Sequence, residues 1–298
     1  MAKKKKAGSI AVPYLLTIFI AILVIGGGTF FLLHHLGIID SEKALPPPPK
    51  RQVELASYDD NHTILFILDE PTNKYSKTFM LMRSIPKDKK IVFVGIPTNT
   101  IAIVDGAQQS MSSAYENGGA SGAVNFVNSI FGIEIDRYMK LKSDAFVKIC
   151  DILGGVTYPV AEDIAGFEGD GSDQYLNSEQ VEKLITYSLY GDGEIERAYV
   201  VSSVFSAMVN QTNGLRISDN LDSSFNTIVN MTDTDITAVD YKQHKVAIKG
   251  MLERGTSIAS FLILSGEKAY EDFIPDEDFF RDFRERYFSY DESTDEDE

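Results

Sequence analysis

Few residues in this chain have the types and spacing that chemistry requires. Its single cysteine, Cys150, excludes an internal disulfide framework and a Cys-rich zinc site. Cys150 lies in the apolar run 146–153, where it reads most simply as a small core residue. Four histidines, two of them adjacent at His34 and His35, leave little for imidazole catalysis or a His-rich metal site. The pairs Gly118-Gly119 and Gly154-Gly155 have neither Walker nor dinucleotide-binding spacing and read as tight turns. Two features remain. Asp69 closes an apolar run before Glu70-Pro71, where a carboxylate either begins a turn or does chemistry. Glu194 and Arg197 form an i,i+3 carboxylate–guanidinium pair, which on a helix is either a solvated salt bridge or part of a charged site.

The elements that would position these groups alternate between the two periodicities. Runs 63–68, 78–85 and 91–96 read as strands, with a turn at 86–90 between the last two. Helical spacing appears at 120–131 and 144–153, with a strand at 138–141 between them. Asn177, with Gln180 three residues on, marks a helix start for 178–189, and 195–210 is a second long helix. Segments 215–231 and 235–241 read as helices and 245–251 as a strand. This alternation predicts an α/β fold, an α-β-α sandwich with a central mixed sheet.

Charge divides the chain further. The formal net charge of −16 combines a +4 leader (residues 1–50) with −10 in residues 51–266 and −10 in residues 267–298. So acidic a body does not bind nucleic acid by neutralising backbone phosphates. Between Lys6 and Asp40 there is no Asp, Glu, Lys or Arg, and the apolar stretch from Ile10 to Leu33 is long enough to cross a bilayer. Lys3–Lys6 precedes it, so the positive-inside bias leaves the N-terminus in the cytoplasm and everything after it outside. The predicted organisation is a basic leader (1–8), one transmembrane helix (9–34), a linker (35–58) stiffened by Pro46–Pro49, an extracytoplasmic domain (59–266) and an acidic, aromatic extension (267–298). That extension places Phe279, Phe280, Phe283 and Tyr287 at helical spacing, on a helix that packs on its own domain or on a partner. The acidic tail 291–298 follows.

An ordered series of motifs across roughly residues 60–210 resembles the LytR-CpsA-Psr family. It comprises Thr63–Asp69, the strand from Lys77, Gly95-Ile96-Pro97-Thr98-Asn99-Thr100, and Ser113-Ala114-Tyr115-Glu116-Asn117-Gly118-Gly119. It continues with Ile135-Asp136-Arg137-Tyr138, Asp151-Ile152-Leu153-Gly154-Gly155-Val156, and the segment 194–207. The resemblance implies an extracytoplasmic, single-pass type II protein of the cell membrane. Its relatives move a glycopolymer from an undecaprenyl-pyrophosphate carrier onto peptidoglycan, by attack at phosphorus with a divalent cation on carboxylates and arginines around the phosphates.

Carried over position by position, most of that site is replaced. Asp69 matches the first-strand aspartate, and Arg197 matches the first arginine of a later Arg-x-x-Arg-Gln motif, with Glu194 where an aspartate is usual. These three are the residual catalytic matches. The second-strand carboxylate has become Lys77, Thr98 and Asn99 stand where an arginine and an aspartate belong, and the lysine ahead of the Ala-Tyr pair has become Ser110. These four are the altered substrate-binding positions. A guanidinium grips two phosphate oxygens at once, which Thr or Asn cannot do. A lysine beside Asp69 would pair with it and remove half of a Mg²⁺ site.

The expected reading is therefore a degenerate member with no metal and no cofactor, Mg²⁺ entering only if the residual site is active. It would bind a lipid precursor or serve as scaffold or regulator in envelope assembly. Its expected partners are the bilayer and a polyprenyl-phosphate-linked glycopolymer, peptidoglycan or another assembly protein, and not nucleic acid. Two alternatives stand beside it: an active transferase using Asp69, Glu194 and Arg197, and an anchored sensor or adhesion module. An apolar tunnel opening beside Asp69 and Arg197 is the feature that separates lipid binding from scaffolding.

Overall fold

Alternation along β1 (His62–Leu68) sets the architecture, because successive side chains leave a strand on opposite faces. Leu65 and Ile67 join one buried cluster and Leu68 the other, with Ile64 and Phe66 packed against it, so both faces of the strand are covered. The computed structural model describes residues 56–69, 77–160, 164, 167, 169–253 and 257–289. The predicted leader, transmembrane helix, most of the linker and the tail 291–298 lie outside them. Among the described residues no helix is long and apolar enough to cross a membrane.

β1 pairs antiparallel with β2 (Thr78–Ile85), which pairs antiparallel with β3 (Lys90–Ile96). On its other side β1 runs parallel to β6 (Arg137–Leu141). The edges are β10 (Ala259–Leu262), parallel to β3, and β9 (Asp233–Thr234), antiparallel to β6. The order β10-β3-β2-β1-β6-β9 is a mixed sheet, as the sequence predicts. Three hairpins lie outside it: β4 (Ile101–Val104) with β5 (Ala107–Ser110), β7 (Val156–Pro159) with β8 (Asp173–Leu176), and β11 (Gly266–Ala269) with β12 (Asp272–Pro275).

One face of the sheet packs against α1 (Met111–Phe131), through Met111, Tyr115, Phe126 and Phe131. The other packs against α2 (Ser143–Leu153), α3 (Ser178–Ile185) and α4 (Glu194–Gln211), through Phe146, Leu184, Val201 and Val204. Helices on both faces make the α-β-α arrangement. α1 starts earlier than the predicted 120–131 because Gly119, at φ 60° and ψ −147°, lets two helical pieces join across a kink. The Gly118-Gly119 pair is thus a bend inside a helix. Gly95 has a different reason: a Cβ there would lie 1.9 Å from the Ala198 carbonyl oxygen, so only glycine lets β3 and α4 pack this closely.

The structure corrects the sequence reading beyond residue 211. The predicted helix 215–231 is broken at Asn220 into α5 (Gly214–Asp219) and α6 (Leu221–Met231). The predicted strand 245–251 lies inside a helix, α7 (Ala238–Glu253), whose Ala247 and Met251 are buried one turn apart. The predicted boundary at 266/267 falls within β11, and α8 (Glu277–Tyr287) packs Phe279, Phe280 and Phe283 around Phe131 at 4.8–6.2 Å between ring centroids. Arg284 Nη1 donates to the Phe131 carbonyl at 2.7 Å, capping the end of α1.

Candidate functional site

The residual and altered positions converge where β1 ends and β2 begins. Asp69 follows the last residue of β1 and donates its backbone N–H to Leu141 of β6 at 2.9 Å. Its carboxylate Oδ2 accepts the Tyr115 hydroxyl of α1 at 2.5 Å. Burial, and then the hydrogen bond to Asp69, hold the Tyr115 phenol protonated well above its ordinary range, with the charges of Asp69 and Asp233 adding to the shift. Lys77 Nζ sits 5.4 Å from the centre of the Tyr115 ring and Lys140 Nζ 5.9 Å. The expected Lys77–Asp69 pair does not form. Lys77 instead donates to Glu116 Oε1 at 2.9 Å, one residue beyond the tyrosine that occupies Asp69.

Arg197 lies in the first turn of α4 and its side chain is 4% exposed. Nη2 donates to Glu194 Oε2 at 2.5 Å and to the Lys77 carbonyl at 2.7 Å, and Nη1 to Thr78 Oγ1 at 3.3 Å. The solvated salt-bridge reading of the pair therefore fails, because the guanidinium is buried as a tie between α4 and β2. Thr98 completes the cluster, its hydroxyl donating to the same Glu194 oxygen at 2.5 Å and its N–H at 3.3 Å.

Asn99 and Ser110 have other work. Asn99 Nδ2 donates to the Glu271 carbonyl and its own carbonyl accepts the Phe273 N–H at 3.0 Å, so it anchors the β11–β12 hairpin. Ser110 caps α1, its Oγ accepting the Ser113 N–H at 3.1 Å while Ser113 Oγ accepts the Ser110 N–H at 2.9 Å. The structure brings Asp69, Lys77, Thr98, Glu194 and Arg197 into one connected cluster and leaves Asn99 and Ser110 outside it.

Two consequences are chemical. A phosphate needs donors that face open space, and Arg197 spends both terminal nitrogens on protein acceptors. The crevice between Thr78, Ile96, Glu194 and Val201 holds only about 10 Å³. A divalent cation needs several anionic oxygens. Asp69 offers one carboxylate already engaged by a phenol, beside a lysine, and no group of three His, Cys, Asp or Glu side chains among the described residues is arranged to hold a metal. Among the described residues the site therefore offers fewer free anionic oxygens than Mg²⁺ takes.

Among the described residues no apolar tunnel opens beside Arg197, against the expectation, and the apolar space lies elsewhere. Phe205 of α4 fills the middle of the sheet face it covers, with ring centroids 5.9–6.4 Å from Phe66, Phe93 and Phe146. Toward the start of β1, a pocket of about 220 Å³ is lined by Ile64, Met139, Leu153, Phe225, Ile228 and Ile248, among others. Ile64 lies five residues from Asp69, roughly 16 Å along an extended strand. The sequence carried a signal for this pocket, since Leu221, Phe225, Ile228 and Val229 form an apolar stripe at helical spacing on α6. The stripe reads as ordinary core, and in part it is, since Phe225 stacks on Tyr241 at 4.0 Å between centroids and Ile228 packs on the buried cluster.

The model of the LytR_cpsA_psr family matches residues 39–272. Among curated proteins, a polyisoprenyl-teichoic acid–peptidoglycan teichoic acid transferase, TagU of Halalkalibacterium halodurans, is 32% identical over 84 residues, covering 28% of this chain and 28% of that protein. The match thus spans little more than a quarter of that relative. Among solved structures, a protein from Eubacterium siraeum superposes with a TM-score of 0.68 at 22% identity, covering 78% of this chain and 93% of the other. TagV of Bacillus subtilis gives 0.61 at 19% identity, covering 76% and 95%. At these identities the likeness is one of fold.

Proposed function

The chain belongs to the LytR_cpsA_psr family, and on that premise we propose that it is a membrane-anchored, extracytoplasmic member that binds a lipid-linked envelope precursor without transferring it. The relative named above is a transferase acting between a polyisoprenyl-linked teichoic acid and peptidoglycan. Transfer at phosphorus depends on preorganised charge around the phosphoryl oxygens, and losing one such donor typically slows a reaction by about 10²–10³-fold. The observation that carries this reading is the state of Arg197. It is the one arginine matching the family's phosphate-gripping set, and its guanidinium is buried against Glu194, the Lys77 carbonyl and Thr78. The pocket beside Leu153 and Phe225 supports retention of lipid binding through its apolar walls, which suit a hydrocarbon chain.

Orientation follows from the sequence. Lys3–Lys6 stays in the cytoplasm, residues 9–34 span the bilayer, and the folded domain stands outside. There the protein acts as a holder, scaffold or regulator of assembly. The test is direct binding of a polyprenyl-phosphate-linked glycopolymer to the full chain in nanodiscs. The wild type retains the lipid, and Leu153→Trp, which fills the pocket, weakens retention at least about tenfold while the fold persists. Equal retention by both proteins contradicts the assignment of this pocket.

A further inference from the structure

We infer that the gap between β4 and β12 is a docking groove for an extended, basic segment of a partner protein, which adds a strand to the free edge of β4. The inference is independent of lipid binding. It concerns the side of the sheet covered by α1, where Val104, Phe273 and Phe280 share a buried cluster with Met111 and Phe131.

Hairpin register shows where the free edge lies. β4 and β5 meet across the turn Asp105-Gly106, both residues at positive φ, with Val104 opposite Ala107. Bonded and non-bonded pairs alternate along an antiparallel ladder, so Ala102 and Val104 bond to β5 while the N–H and C=O of Ile101 and Ile103 point away from it. In the β11–β12 hairpin, Phe273 and Pro275 take the corresponding outward positions. One rung joins these two edges, a parallel bridge between Thr100 and Phe273, with the Phe273 N–H donating to the Asn99 carbonyl at 3.0 Å. The next rung of that register asks residue 275 for an N–H toward the Ile101 carbonyl, and proline has none. The strands part there, and among the described residues β4 has no neighbouring strand on this side beyond Thr100. Between them lies a cavity of about 380 Å³, lined by Ile101, Ile103, Ile130, Ile274, Pro275 and Phe280, among others. Ile103 is 76% exposed and Ile274 45%.

Proteins commonly blunt an edge strand with lysine, proline or a bulge. β4 reads Ile-Ala-Ile-Val and carries none of these. The proline sits on the facing strand, where it keeps β12 from closing the gap. Outward N–H and C=O groups along a strand match the backbone of an extended peptide, which neither a hydrocarbon nor a sugar chain reproduces. Charge then sets the kind of peptide. Residues 101–110 and 266–278 hold seven carboxylates against a single lysine, Lys268. Of the seven, only Asp278 is in an ion pair among the described residues, with Arg281 at 2.6 Å. Glu277 lines the cavity itself. A second copy of this chain, at −20 over residues 51–298, is repelled by such a rim. The occupant is a different protein, whose strand alternates β-branched side chains for the cavity with Lys or Arg for the rim.

The test selects a random nine-residue peptide display library on the full chain in zwitterionic nanodiscs, with empty nanodiscs as counter-selection. Selected peptides are expected to carry net positive charge, to alternate β-branched with basic residues, and to slow amide exchange in residues 101–104 at least about tenfold. Ile103→Pro removes an outward N–H at an edge position, where proline is tolerated, and the double variant Glu271→Lys/Glu277→Lys reverses two charges of the rim. Each is expected to weaken the selected peptides at least about tenfold with cooperative thermal unfolding retained. The charge-reversed protein carries the test by itself should the proline disturb the hairpin. Pro275→Ala supplies the missing donor and is expected to slow exchange at Ile103 with no peptide present. Selection of acidic or uncharged peptides, unchanged affinity in both the proline and the charge-reversed proteins, or no enrichment over empty nanodiscs overturns the proposal. Any of these leaves the lipid-binding reading standing, since the Leu153→Trp comparison tests that separately.

Discussion

At the scale of the residue, Arg197 shows how one side chain can match a family position while its surroundings give it another role. Its three protein acceptors make it a structural tie. Replacing it by alanine leaves Glu194, 23% exposed, with its Thr98 bonds and leaves the Lys77 carbonyl without this donor, for an expected cost of about 1–3 kcal/mol. Chemical denaturation of Arg197→Ala is expected to register a loss of that order. An arginine that merely faced an open phosphate site would give little change. Cys150 makes an independent test of the same core. Desolvation by burial pushes its thiol up to about 12 from 9.0, with Asp151 and Glu182 adding to the shift. The native thiol is expected to stay unalkylated by iodoacetamide at mildly alkaline pH and to react on unfolding. The sign follows from linkage: the folded state holds the proton longer, so stability falls as pH rises from 9.0 toward about 12.

At the scale of the element, the central sheet was legible because its strands carry the signals that survive in one sequence. The runs 63–68, 78–85 and 91–96 are short, apolar and bounded by turn residues, and they form β1, β2 and β3 with one-residue adjustments. What escaped has local causes. The run 245–251 reads as a short strand around Val246-Ala247-Ile248 but closes its hydrogen bonds as α7, where Ala247 and Met251 face the core one turn apart. Asn220 ends one helix and opens the next within a segment where Ile217, Leu221 and Phe225 keep helical spacing across the break. In the candidate site, the losses of charge were readable from residue types alone. That Lys77 would choose Glu116 over Asp69, and that Tyr115 would occupy the aspartate, depends on α1 crossing the end of β1, which no local pattern encodes. Two substitutions test element packing. Gly95→Ala drives a Cβ against the Ala198 carbonyl and is expected to cost about 1–3 kcal/mol or prevent folding, read by thermal unfolding. Phe283→Ala removes a ring fully enclosed between α8 and α1, for an expected loss of about 3–5 kcal/mol. α8 lies past residue 272, where the family match ends, so a loss of that size would make it an integral part of this domain.

At the scale of the whole molecule, the account joins an acidic outer domain to a basic, apolar leader. The full chain is expected to stay in the membrane fraction through a high-salt wash, since an apolar span is indifferent to ionic strength where a surface-bound protein is released. The central claim is that this family fold has kept a place for a lipid and lost the charges that move its cargo. Reconstituted transfer of a polyprenyl-pyrophosphate-linked glycopolymer to peptidoglycan, run beside an arginine-complete family member with Mg²⁺ present, tests it most directly. The account predicts bound precursor and no transferred polymer above the protein-free background. Transfer at a rate comparable to the intact relative, abolished by Asp69→Ala or Arg197→Ala variants that remain folded, would contradict it.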